Sequence, residues 1–258
     1  MNSKNTSWKE KKGENKIGKF VNRKSILALL VGLLLILNSY IVLSVPAAPT
    51  INATFNTTFV GGVISRGNDT KGTITTLQLS AIQQNYKWKA YVGNVTGSLA
   101  LADANGERIY DWSLGTTAGE VYVSRYSTIN FNNMTCANQT SILTDQGNLS
   151  IVTGASDSIN STFNYTTHSQ FLVGTTLIGG CKATATYVND ARQASINASV
   201  FQEVLLMDAG TQFMTYATII NASSVGYNGG NRYDFQMIVA ENESSNTPTN
   251  YYFWVELG

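Results

Sequence analysis

The sequence predicts an all-β fold: an antiparallel, β-sandwich-like domain behind one N-terminal hydrophobic helix. Apolar and polar residues alternate with period two over much of residues 85–258. Gly, Asn and Asp interrupt that alternation at hairpin spacing. No long segment carries the 3.6-residue period of an amphipathic helix, which leaves strands and turns to build the core.

The chain opens with a basic tail, residues 1–24, in which eight Lys/Arg face two Glu for a net +6; the remainder, with nine basic and fourteen acidic residues, carries −5. The tail stops at "SILALLVGLLLILNSYIVLSV", Ser25–Val45, a run without charge. As a helix at ~1.5 Å per residue it spans roughly the ~30 Å of one bilayer core. Lys and Arg on its N-terminal flank hold that end inside the cell. The expectation is a single-pass cell-membrane protein with residues 1–24 in the cytoplasm and the bulk extracellular. Three fates of the segment stay open: a retained transmembrane anchor, a signal cleaved near Val45-Pro46-Ala47-Ala48 to give a secreted protein, or prepilin-like processing at Lys24-Ser25. Residues 46–62, small and Thr-rich, read as a spacer, and 63–258 as a glycosylated extracellular β domain of one or two subdomains.

Charged residues are 13% of the chain and hydrophobic ones 43%, the reverse of a disordered composition. Asn94, Thr96 and Ser98 alternate with Val95, Leu99 and Leu101, so the first hairpin has one apolar and one polar face. Asn105-Gly106 suits a type I′ turn. Pairing back from it sets Asp103 against Arg108, Leu101 against Tyr110 and Leu99 against Trp112. A second hairpin turns at Asp208-Ala209-Gly210-Thr211. "YDFQMIVAENESSNTPTNYYFWVEL" reads as a third, whose last strand, Tyr251–Leu257, ties down the C-terminus. The middle, about 113–195, reads as loops with room for a short helix.

Two marks point outside the cell. Sequons open at Asn52, Asn56, Asn68, Asn94, Asn133, Asn138, Asn148, Asn160, Asn164, Asn197, Asn221 and Asn242. That share of the asparagines is well above the roughly one in five that the Ser/Thr content gives by chance. Cys136 and Cys181, both beyond the apolar run, are expected to form a disulfide.

"WKAYVGNVTGSLALADANGERIYDWS" followed by "GEVYVSR" resembles a W-x-x-Y/F-x-G-N-V-x-G…D-A…Y-x-W…G-E-x-Y-x-S-R pattern of secreted and cell-surface β-rich archaeal proteins, mostly uncharacterised. "DSINSTFNYTTHSQFLVG" and the C-terminal blocks are similar to the later part of those proteins. The resemblance covers most of residues 85–258; it implies a surface location and β architecture, and no activity.

Little in the sequence suggests catalysis. His168 is the sole histidine and has no nucleophile elbow or metal-binding spacing beside it, so a structural role is expected. Asp103–Glu107 lacks the distal carboxylate of a calcium loop and reads as a turn. No carboxylates fall into a recognisable catalytic pair, and no phosphate or dinucleotide fingerprint or outer basic patch exists for nucleotides or nucleic acid. No catalytic residue, metal or cofactor is therefore expected. Trp88, Tyr91, Tyr110, Trp112, Tyr122, Tyr126, Tyr251, Tyr252 and Trp254 read mainly as core. The expected role is a non-enzymatic structural or interaction glycoprotein of the cell envelope, with envelope proteins or surface glycans as partners. A pilin-like filament subunit and a carbohydrate-binding or hydrolytic surface protein are the alternatives.

Overall fold

The computed structural model describes residues 84–258 apart from 115, 194, 195, 246 and 247, together with the isolated Pro46 and Pro49. The basic tail, the apolar segment 25–45, nearly all of the spacer and the sequons at Asn52, Asn56 and Asn68 lie outside the described residues. Among those described, no helix is long and apolar enough to cross a membrane.

The strands are antiparallel; six of them form one central sheet, and β11 (Ser224–Val225) pairs with β12 (Arg232–Tyr233) apart from it. Its order is β14 (Tyr252–Leu257), β4 (Gly119–Ser124), β10 (Met214–Ile219) and β9 (Gln202–Asp208). The far edge of β9 is shared by β5 (Met134–Cys136) and β8 (Ala183–Ala185). β5 pairs with Leu206–Asp208 and β8 with Gln202–Val204, both antiparallel, so the two lie end to end like one interrupted strand. Leu205 marks the join, its N–H donating to Lys182 O (2.8 Å) and its C=O accepting from Ala137 N–H (3.0 Å).

Alternate residues of the central strands enter two different cores. Val121, Val123, Leu205 and Tyr216 face one; Tyr122, Val204, Leu206 and Ala217 face the other. Sheets covered on both faces read as continuous apolar runs, which explains "EVYVS" and "EVLLM". Full burial of each Val or Leu stabilises the fold by about 1.5–3 kcal/mol.

The first core is closed by a two-stranded sheet, β1 (Trp88–Gly93) with β13 (Phe235–Ala240), and by α1 (Gln139–Asn148) and α2 (Ile159–Thr162). Asn138 caps α1, its Oδ1 accepting from Ser141 N–H at 2.8 Å, and Ser158 caps α2. The second core is closed by the hairpin of β6 (Phe171–Val173) and β7 (Thr176–Ile178), with Phe131 and Ile196. Residues 137–182 thus leave the edge of β9, cover both faces of the sheet and return. Cys136 and Cys181 form a disulfide across that neck, Cα–Cα 5.0 Å.

Two expected hairpins change. β13 and β14 do not pair: β13 joins β1 and β14 joins β4, so residues 241–250 carry the chain from one layer to the other. The Glu241 carboxylate fixes that crossing by accepting from Asn242 N–H (2.8 Å) and Thr249 N–H (3.1 Å). β2 (Ser98–Ala102) and β3 (Arg108–Ser113) do pair, with Leu99 opposite Trp112 and Leu101 opposite Tyr110 as expected. At the tip, Ala102 rather than Asp103 faces Arg108, across a bulge. Gly106 has φ +86° while Asn105 is not left-handed, so the type I′ expectation fails. The Asp103 carboxylate prevents it by accepting from both Asn105 N–H and Glu107 N–H at 2.9 Å, and Gly106 becomes the glycine of a bulged turn. The second hairpin, β9–β10, turns at Asp208 as expected, and β14 fastens the C-terminus.

The disulfide closes a loop over a separation of 45 residues. Its loss through Cys136→Ser with Cys181→Ser should cost ~3–4 kcal/mol on the chain-entropy model, read as a lower midpoint in chemical denaturation with an unchanged far-ultraviolet spectrum.

Candidate functional site

Three groups of side chains stand apart from ordinary packing. The first is the β2–β3 hairpin, which projects from the sandwich: every residue of β3 is exposed, and all of β2 except Ser98. Leu101 is 52% exposed, Tyr110 58% and Trp112 50%, and with Leu99 they line one face. Tyr110 and Trp112 meet edge to face at 4.9 Å. This apolar face, expected in the core, meets solvent instead. Val95 packs on the first core and Gly97 lies against Leu257, so the sandwich ends at the root of the hairpin. The other aromatics divide. Trp88, Tyr91, Tyr122, Tyr251 and Trp254 pack on the cores, Tyr126 stacks on Phe213 at 3.7 Å, and Tyr252 is exposed.

The second group is a set of buried acids. Glu120 on β4 lies directly opposite Glu256 on β14, so the fold does create a carboxylate pair that the sequence did not reveal. They are 7% and 5% exposed. Glu256 accepts from the Tyr122 hydroxyl (2.9 Å) and from Gly174 N–H (3.0 Å). Burial, and then the charge of Glu256, push Glu120 up to about 8; burial raises Glu256 too. Glu203 on β9 is wholly buried, with Oε2 accepting from Ile238 N–H at 3.0 Å and Oε1 unpartnered. Burial holds its carboxyl well above the usual range, which favours the neutral form. A visible hint was there: Glu at an inward position of an apolar strand, in "GEVYVS", "QEVLLM" and "FWVEL".

The third group surrounds the disulfide. Cys181 N–H donates to His168 Nε2 (3.1 Å), which leaves Nδ1 to carry the hydrogen donated to Ser169 O (2.8 Å). Both nitrogens of the only histidine are thus engaged by backbone. Beyond this neck a polar cleft of about 390 Å³ runs between α2 and residues 184–199. Asn164, Tyr165, Tyr187 and Arg192 line it, and Arg192 Nη2 donates to the Tyr165 hydroxyl at 3.1 Å.

Of the sequon asparagines, Asn94, Asn133, Asn138, Asn148, Asn164, Asn197 and Asn221 are exposed, and Asn160 and Asn242 half-buried. At Asn160 the side-chain Oδ1 is buried and the backbone N–H donates to Gln146 Oε1 at 2.9 Å. In comparison with known proteins, the chain matches no family model, no curated protein and no solved structure.

Glu203 separates two outcomes. Glu203→Ala strands the buried Ile238 N–H and opens a void, which should cost ~3 kcal/mol in chemical denaturation. Glu203→Gln keeps an acceptor for Ile238 and should cost less than Glu203→Ala, under ~1.5 kcal/mol.

Proposed function

We propose that this chain is a non-enzymatic glycoprotein of the cell envelope, held by the apolar segment Ser25–Val45 with its β domain facing outward, and that it acts by contact with other envelope components. The observation that carries this reading is the β2–β3 hairpin. Its face of Leu99, Leu101, Tyr110 and Trp112 contributes nothing to either core, yet it is displayed on a regular, well-registered element. Exposed aromatic and aliphatic clusters of this kind mark contact surfaces. A cross-linked neck and seven exposed sequon asparagines suit the same setting.

The acid pair supports this better than hydrolysis. A hydrolase needs its two carboxylates in contact with substrate, whereas Glu120 and Glu256 sit under Tyr122 and the turn at Gly174.

Protease added to intact cells should remove residues 50–258, and glycopeptide mapping should find sugar at exposed asparagines such as Asn94 and Asn197 but none at Asn160. Protection of those residues together with an unmodified intact mass would overturn the reading. Leu101→Ser with Trp112→Ser should change stability by less than ~1 kcal/mol, because both residues are about half exposed and belong to neither core, while abolishing co-purification with envelope material. Retention of that material by the folded variant would remove the hairpin as the contact surface.

A further inference from the structure

We propose that Glu120 and Glu256 form a proton-held lock that fastens the turn of the β6–β7 hairpin to the β14 edge, closed in acidic and neutral medium and released in alkaline medium.

The geometry comes first. β4 and β14 approach unusually closely at Gly119, whose φ is +124°; a Cβ there would stand 2.0 Å from Glu256 O. That approach sets Glu120 and Glu256 opposite each other on one sheet face, where like charges repel. Glu256 is the member built to carry charge, because it receives two donors, the Tyr122 hydroxyl and Gly174 N–H. Glu120 is buried beside it, and among the described residues no donor or cation reaches its carboxyl, so keeping its proton is the alternative to a second buried charge.

No compensating cation faces the pair among the described residues. From β4 come Glu120 and Tyr122, and from β14 Glu256 with apolar Trp254 on the same face. β10 places Ile219 opposite Glu120. The hairpin contributes only the backbone of Gly174, and Phe131 packs against Tyr122 and Trp254.

The consequence runs in one direction. A protonated Glu256 still offers an oxygen to Gly174, so acid leaves the fastening intact. Loss of the Glu120 proton puts two charges face to face beneath Tyr122, and the β14 edge must separate or admit water. Glu120 is raised, so the folded chain binds more protons than the unfolded one above the ordinary glutamate range. Its contribution to stability is therefore full below about pH 4.5 and is lost as pH rises towards about 8. The lock does not rest on the outward orientation proposed above.

The test uses the full chain and two measurements. Native-state hydrogen exchange, corrected for intrinsic rates, is followed at residues 172–176 and 252–257 from pH 5 to pH 9. Opening should become more frequent by up to about tenfold per pH unit below pH 8 for each proton released, and Glu120→Gln should lower that slope by one proton. An unchanged slope in Glu120→Gln overturns the lock. Because that variant could fail to fold, the wild-type chain with 13C-labelled glutamate carboxyls provides the second reading. The Glu120 carboxyl should titrate near pH 8, with the Gly174 amide that donates to Glu256 responding in the same range; titration of Glu120 with the ordinary glutamates would equally overturn the proposal. Neither measurement depends on where the protein resides, so failure of the lock and failure of the envelope reading are distinguishable.

Discussion

Strand β9 has no free side, and the rest of the domain follows from that. All seven of its residues are buried; β10 occupies one edge, β5 and β8 share the other, and a core lies on each face. A strand enclosed in this way must be apolar on both faces, and any polar group it carries must find its partner inside the protein. The interrupted outer edge is what requires the disulfide. β5 and β8 are three residues each, too short to hold their register alone, and the crosslink fixes the point where they meet.

The same enclosure accounts for the polar ties between layers. β13 pairs with β1 along one edge only, and its other edge would leave backbone groups unsatisfied inside the first core. Side chains of the central sheet and its neighbour take the place of the missing strand. Thr218 Oγ1 donates to Gln236 O at 3.0 Å, Glu203 accepts from Ile238 N–H, and the Tyr251 hydroxyl donates to Ala240 O. Burial without a counter-ion favours the neutral form of Glu203, because an ionised carboxylate there would need a cation beside it. Elsewhere carboxylates are paired with cations, as Asp157 is with Lys87 at 3.0 Å near the surface and the buried Asp145 is with Arg125.

Much of this was legible in the sequence. Period-two alternation, the turn at Asp208 and the C-terminal strand gave the all-β architecture, and two cysteines beyond an apolar run gave the disulfide. What failed was long-range: the partner of a strand is not written in the strand. "FQMIVA" and "YYFWVEL" are adjacent and both apolar, which is the pattern of a hairpin, yet they enter different layers because each completes a sheet begun more than a hundred residues earlier. The Glu120–Glu256 pair was missed for the same reason, since it exists only once β4 and β14 are in register. The turn at Asn105-Gly106 was misjudged locally, where one upstream carboxylate at Asp103 outweighed the preference of the central pair.

The hairpin β2–β3 exposes a limit of pattern reading that is physical rather than statistical. Alternation states that two faces differ; it does not state which of them meets water. Leu99, Leu101, Tyr110 and Trp112 would make the same pattern facing a core or facing a partner. An isolated two-stranded ribbon with such a face is also an aggregation hazard. Asn94 lies exposed at its root, between the end of β1 and the start of β2. A glycan there would stand beside the apolar face without covering it, limiting edge-to-edge pairing while leaving the face open to a partner shaped to approach from the other side. Under the proposed contact role, sequon and aromatic ribbon would share one physical purpose: a glycan would exclude unselective contacts, and the ribbon would supply the selective one.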